Sequence, residues 1–335
     1  MSLVSVIIPA YNAQETILET IDSVLQQTFA DFEVIIVDDG SQDSTLEIVS
    51  AITDSRLKVL SYPNAGACVS RNRGFAEAKG EFIAFLDADD LWTPDKLEAQ
   101  LAALEANPQA AVAYSWTNCI DEAGKFLRRG NHLSVNGDVY AELLLSDVLE
   151  NGSTPLIRRE ALAAVGGFDE SLAAAQDWDL YLRLAANYQF VAVPSPQVLY
   201  RISTNSMSSN VLRLESASLQ VIEKAFTQAP AALQYLKKPS LANIYSYLTF
   251  KALEGSPQRQ QGLTAARFIW QAVVNNPSLL RARVLVKVLF KIAVMIILPP
   301  QLAQMVLTKA GTFSDVRALL GYMRLSTNDA NWSLD

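Results

Sequence analysis

The feature that most constrains this chain is an alternation, over its first 116 residues, of short apolar runs with helix-patterned stretches. The runs Val4–Ile8, Val34–Val37, Leu57–Leu60, Phe82–Leu86 and Ala111–Tyr114 are rich in Val, Ile, Leu or Phe, and each stops at polar or turn residues. That is the pattern of strands covered on both faces. Between them, Ile17, Ile21, Val24 and Leu25 share one helical face. Thr93 is placed to cap a helix starting at Pro94, with Leu97, Leu101 and Leu104 along one side. Gly80 stands where a helix C-cap is expected. Such repetition predicts an α/β architecture: a Rossmann-like, mostly parallel sheet with helices on both faces.

Residues 117–210 are less regular. A turn is expected at Asp121–Gly124, a strand at Pro155–Ile157, a helix from Asp177 to near Asn187 and a strand near Phe190–Val193. Beyond Val211 helix follows helix with no strand signal, so the chain divides into an α/β region, 1–210, and an α-helical C-terminal region, 211–335. Several function classes recede on composition. A net charge of -8 argues against a nucleic-acid partner. The single histidine, His132, lies in a polar stretch and reads as a surface residue, and with two distant cysteines, Cys68 and Cys119, it forms neither a zinc site nor a disulfide framework. No basic and apolar leader precedes Val4, so no signal peptide is expected.

In an open parallel sheet, ligands bind outside the carboxyl ends of the strands. The distinctive residues of this chain fall there: PAYN (Pro9–Asn12), DDGS (Asp38–Ser41), PNAG (Pro63–Gly66) and DADD (Asp87–Asp90). In DADD, Asp87 and Asp89 project to one side if the segment is extended. Carboxylates so close raise one another's pKa unless a cation neutralises them, and a hard divalent ion with oxygen ligands would do so while holding a diphosphate. The competing reading is a turn with an Asp capping the next helix. Arg71, on the helix after the third strand, is either a solvated side chain or a nucleotide contact. Asp177 suits a helix N-cap as well as it suits a catalytic carboxylate.

Taken in order, VSVIIPAYN, FEVIIVDDGSQDST, NAGACVSRNRG, GEFIAFLDADD, GGFDE, QDWDLYLRL and YRISTNSMS resemble glycosyltransferase family 2, the inverting enzymes of the GT-A fold, over roughly residues 3–210. The resemblance implies transfer of a sugar from a nucleotide-diphosphate donor, a UDP-sugar first of all, to an acceptor hydroxyl. Pro9 and Tyr11 would line the base pocket, Asp39 would accept a hydrogen bond from the base, and Arg71 would lie beside the nucleotide. Asp87, near the ribose, and Asp89 would form the DxD pair, with Asp89 binding Mg²⁺ or Mn²⁺. Asp177 would be the general base, with Gln176 in place of the usual neighbouring Glu, and Trp178 would form part of the acceptor wall. The acceptor is commonly a glycan or lipid-linked sugar of the cell surface. A processive synthase would carry QxxRW and spanning helices, and neither is found; a sugar-1-phosphate nucleotidyltransferase would carry a Gly-rich loop after the first strand. An inactive GT-A scaffold is the remaining alternative.

The C-terminal region has its own signature. Seven of the 27 cations and none of the 35 acids fall between Gly255 and Ser314, so this span is +7 and the remainder -15. Within it Val284–Leu298 is almost wholly apolar apart from Lys287 and Lys291, which with Arg283 recur every four residues. As a helix it reaches about 22 Å, short of the ~30 Å hydrocarbon core. The pattern suits a helix lying in a membrane interface with its cations toward anionic headgroups; a core helix with snorkelling lysines is the alternative. The expectation is a cytoplasmic protein, peripheral at the inner face of the cell membrane.

Overall fold

The structure is a computed structural model that describes residues 2–202 and 210–323; most of the YRISTNSMS string lies outside these. The chain forms two compact units, Met1–Leu143 with Asp147–Ser206, and Leu144–Ser146 with Met207–Asp335.

In the first unit the elements run β1 (Val4–Ala10), α1 (Ile17–Leu25), β2 (Phe32–Asp38), α2 (Thr45–Ser50), β3 (Leu57–Ser61), α3 (Ala67–Glu77), β4 (Phe82–Phe85), β5 (Leu91–Trp92), α4 (Lys96–Ala106), β6 (Ala110–Ile120), β7 (Phe126–Arg129), α5 (Tyr140–Leu145), β8 (Leu156–Arg158), α6 (Arg159–Ala164), α7 (Gln176–Ala185) and β9 (Gln189–Arg201). They build one sheet in the order β3-β2-β1-β4-β8-β6-β9-β5, with β7 beside β6. The strands β3, β2, β1 and β4 are parallel. Val4, Val6, Ile7, Ile8 and Val34 to Val37 are wholly buried, as central parallel strands require. Each such side chain contributes roughly 1.5–3 kcal/mol on burial.

Beyond β4 the sheet becomes mixed: β8 is antiparallel to both β4 and β6, while β6 and β9 pair in parallel. β6 and β9 run to 11 and 13 residues, far past the four-residue runs that signal them in sequence. Their extensions carry buried polar residues, Ser115, Thr117 and Gln197 among them, which interrupt the apolar pattern.

Three local expectations are corrected. α4 begins at Lys96 with Asp95 at its N-cap; Thr93 instead donates its hydroxyl to Asp95 at 2.6 Å. α3 ends at Glu77, and Gly80 is needed for closeness, since a Cβ there would lie 2.6 Å from the Ser5 amide nitrogen. His132 is half-buried, stacked on Trp116 at 4.8 Å with Nε2 against the Thr117 carbonyl. Closeness also explains Gly74 on α3: a Cβ there would lie 2.4 Å from Ile7 Cγ2 of β1, so this helix rests directly on the sheet.

The second unit is helical, with α8 (Val211–Gln228), α9 (Lys237–Ala252), α10 (Arg259–Asn275), α11 (Arg283–Ile297) and α12 (Pro300–Ala310) joined by short turns and 3₁₀ segments. No helix among the described residues is long and apolar enough to cross a membrane.

Candidate active site

The loops at the carboxyl edge of the sheet are bonded into one surface. Asn12, in the left-handed region at φ 49°, accepts from Gln42 N through its side chain and donates its own N–H to Ser41 Oγ. The buried Asp39 carboxylate accepts from Ala65 N at 2.9 Å and Gly66 N at 2.8 Å, with Arg73 3.8 Å away. These bonds hold PAYN, DDGS and PNAG side by side. Pro9 is partly exposed near the end of β1, and Tyr11, just beyond the strand, is 48% exposed.

Arg71 is delivered from α3. It is buried, its guanidinium pairs with the Asp87 carboxylate at 2.5 Å, and it lies 5.2 Å over the Phe168 ring. Burial opposes the cation, but the charge and hydrogen bond of Asp87, with the Asp177 charge beyond, together raise the Arg71 pKa. Its Nε is buried without a hydrogen-bond partner among the described residues.

DADD is held from two sides. Ser153 Oγ accepts from Asp87 N at 3.1 Å and donates to the Asp90 carboxylate at 2.6 Å. Arg201, the last residue of β9, donates its backbone N–H to Asp90 and its Nε to the Asp89 carbonyl; its far end reaches the Asp121 and Glu122 carbonyls and the Glu19 carboxylate. Burial, with Asp89 and Asp87 adding to it, pushes Asp90 well above the carboxylate range. Asp89 is raised to about 6 by burial and then by the Asp87 charge. Among the described residues, the Asp89 carboxylate has no hydrogen-bond partner beyond its own backbone N–H.

The oxygen donors of this loop differ in their readiness to hold a divalent ion. Asp89 offers a hard oxygen ligand that is short of positive charge, whereas Asp87 is engaged by Arg71. Among the described residues, no group of three or more His, Cys, Asp or Glu side chains is arranged to hold an ion. One open carboxylate fits Mg²⁺ or Mn²⁺ in the manner of sites that complete their coordination with substrate phosphates and water.

Asp177 is the second residue of α7, behind Ala175, which takes the left-handed conformation at φ 54°. Asp177 is therefore a first-turn residue, not the N-cap. Its half-buried carboxylate accepts from Trp178 N at 2.9 Å. Burial raises its pKa, partly opposed by the nearby Arg71 cation and increased by Asp87. Asp177, Arg71 and Asp87 thus share one electrostatic neighbourhood. Trp178 points inward, 6% exposed with its indole N–H on the Leu143 carbonyl, so the expected place in an acceptor wall does not match its setting. Gln176 is buried, with its amide donating to Leu172 O, and Asp179 pairs with Arg183.

Sequence reasoning missed Ser153, Arg201 and Asp147. Asp147 is half-buried, and its carboxyl is raised well above the usual range by burial and then by Asp177. Only Arg201 had a signal, as part of the YRISTNSMS string. Removing the Ser153 hydroxyl takes one of two partners from Asp90, so Ser153→Ala should cost about 1–3 kcal/mol in urea unfolding and raise the donor KM. An unchanged midpoint would show that the hydroxyl does not hold this loop.

A cavity of about 780 Å³ opens at the opposite edge, where Leu3, Lys79, Glu81 and Arg159 lie among its lining. It is remote from these groups, and its charges are of mixed sign.

Comparison with known proteins bears on the family and the fold. The chain is 37% identical over 217 residues to the amylovoran biosynthesis glycosyltransferase AmsB of Erwinia amylovora, covering 60% of this chain and 70% of that protein. It is 32% identical over 245 residues to the UDP-Glc:alpha-D-GlcNAc-diphosphoundecaprenol beta-1,3-glucosyltransferase WfgD of Escherichia coli, covering 70% and 90%. Two solved structures share the fold at 19% identity. TarS of S. aureus in complex with UDP-GlcNAc has a TM-score of 0.56 over 84% of this chain and 92% of that one. The mannosyltransferase PcManGT of Pyrobaculum calidifontis with GDP-Man and Mn²⁺ has 0.58 over 95% and 85%. The fold is GT-A. The family model described as glycosyltransferase like family 2 matches residues 5–252, and with the strand-edge carboxylates in that family's order, the chain belongs to glycosyltransferase family 2.

Proposed function

We propose that this glycosyltransferase moves a sugar, with inversion, from a nucleoside-diphosphate donor, UDP-linked, onto the hydroxyl of a lipid-diphosphate-linked sugar in cell-surface polysaccharide assembly. The observation that carries this reading is the gathering of Arg71, Asp87, Asp89 and Asp177 at one strand edge, with the Asp177 carboxyl raised toward the pH at which a general base works best. Pro9 and Tyr11 line the base pocket, and Asp39 accepts from the base while keeping its loop in place. Asp87 stands beside the ribose and holds Arg71 against the nucleotide. Mg²⁺ or Mn²⁺ on Asp89, next to Asp87, would supply positive charge to the departing diphosphate.

Asp177 takes the proton of the acceptor hydroxyl as that oxygen bonds to the anomeric carbon and the bond from that carbon to the diphosphate oxygen breaks. One displacement inverts the centre, so no protein nucleophile is required. The neighbours' donors support a nucleotide sugar, and the activity of the WfgD relative supports UDP and a lipid-linked acceptor. Such an acceptor places the enzyme at the cytoplasmic face of the membrane as a peripheral protein.

The test is transfer from a panel of nucleotide sugars to undecaprenyl-diphosphate-linked monosaccharides. UDP donors should give a new linkage of inverted configuration. The inactive-scaffold alternative predicts no transfer and no hydrolysis from any donor.

A further inference from the structure

The helical unit exposes a face that is apolar where water-facing helices are normally polar. α10 and α11 are joined through Pro277–Arg281, and Gly262 of α10 lies against α11: a Cβ there would be 3.1 Å from both Met295 and Ile296. At about 100° per residue, Trp270 and Val274 stand roughly a quarter to a third of a turn round α10 from that contact. Val286, Leu289 and Ile297 stand at a comparable rotation, in the same sense, round α11. On helices running in opposite directions, the same sense of rotation leads to the same side of the pair. All five residues are exposed, from 50% at Leu289 to 75% at Ile297.

One edge of this stripe is basic. Arg283 is exposed beside Val286, and Lys287, next round the helix, donates to the Thr312 carbonyl. Lys291 is partly buried, and that burial lowers its pKa. The four-residue spacing of these cations therefore leads away from the outward face, with Arg283 at its border and Lys291 turned inward; the centre of the face is apolar.

We propose that this face docks on an anionic lipid bilayer, with Trp270, Val286, Leu289 and Ile297 entering the headgroup region and the exposed cations of the same helices and the turn between them, Arg259, Arg281 and Arg283, meeting lipid phosphates. Charge selects this occupant. The surrounding span is +7 in sequence and the rest of the chain -15; Arg267 is paired with Glu215, but Arg259, Arg281, Arg283 and Lys309 are exposed, so an anionic surface attracts this region and repels the remainder. A second copy of the chain would bring +7 against +7. Helix α11, 15 residues long, lies along the interface instead of crossing it. The proposal refines the membrane location given above, yet its test needs no substrate, so loss of the transfer reading would leave it standing.

The full-length chain is floated with phosphatidylcholine vesicles, with and without phosphatidylglycerol. The protein should rise with the anionic vesicles alone, and less so in high salt. Leu289→Glu combined with Ile297→Glu should weaken partitioning at least about tenfold, with the circular dichroism of the wild type retained because both sites are exposed. Independently, the wild-type tryptophan emission should shift to the blue on anionic vesicles, and Trp270→Phe should remove most of that shift. The proposal is overturned if wild type stays at the bottom with both vesicles, if flotation and blue shift survive the substitutions, or if sedimentation shows a dimer that the Leu289/Ile297 variant splits.

Discussion

Asp177→Asn should lower kcat at least about 100-fold while donor affinity, measured by calorimetry, stays close to wild type. The carboxylate acts on the acceptor hydroxyl, so the donor's contacts do not depend on it. Stability separates this role from a structural one. Burial raises the folded pKa of Asp177 above that of the unfolded chain. Its contribution to stability is therefore greatest below the unfolded carboxylate pKa and declines as pH rises through the folded value. At neutral pH the charged form is a burden on the fold, and the neutral amide should hold or raise the denaturation midpoint. In the wild type, kcat/KM should fall with decreasing pH along a limb above the ordinary carboxylate range, as Asp177 takes up the proton that disables it. Loss of donor binding together with activity would make Asp177 structural and place the base elsewhere.

Asp89→Asn should abolish turnover, and thorough chelation should do the same to the wild type, with Mg²⁺ or Mn²⁺ restoring it. Asp89 carries the unmet demand for positive charge in the DADD loop, since Arg71 serves Asp87 and Asp90 is satisfied by Ser153 and the Arg201 backbone. The amide keeps the shape and removes the charge. Asp87→Asn should behave differently, weakening donor binding and also stability, because it leaves the buried Arg71 cation without its partner. Full activity after chelation would remove Asp89 from the role of metal ligand.

How much of this was legible beforehand follows from where each residue gets its surroundings. β1, β2 and β4 could be read because strands flanked on both sides carry nearly continuous apolar runs. Asp39, Asp87 and Asp89 could be placed at one edge because strand order alone brings strand ends together. Asp177 could be placed on a helix start but not separated from a cap, since both readings use the same residue type at nearly the same position. Ser153 and Arg201 were not legible as partners of DADD. Ser153 lies 63 positions from Asp90 and Arg201 lies 111, and nothing in their immediate neighbours encodes that meeting. Trp178 misled for a related reason: an aromatic beside a catalytic candidate suggests a ligand wall, yet its helix turns it toward Leu143. The extensions of β6 and β9 escaped notice because their buried polar residues find partners far away in sequence, as in Asn151 donating to Thr117 and Gln197 donating to Asp95.

Gly74 has a consequence well away from its own position. Arg71 stands three residues before it on α3, so the gap between that helix and β1 fixes how far the guanidinium extends toward Asp87. A methyl group at position 74 would act as a shim, lifting the helix from Ile7 and drawing the arginine back from the ligand edge. The chain calibrates a charge at its rim from a contact at its centre. A map of substitution against activity would then show an interior position, out of reach of any ligand, behaving as though it touched one.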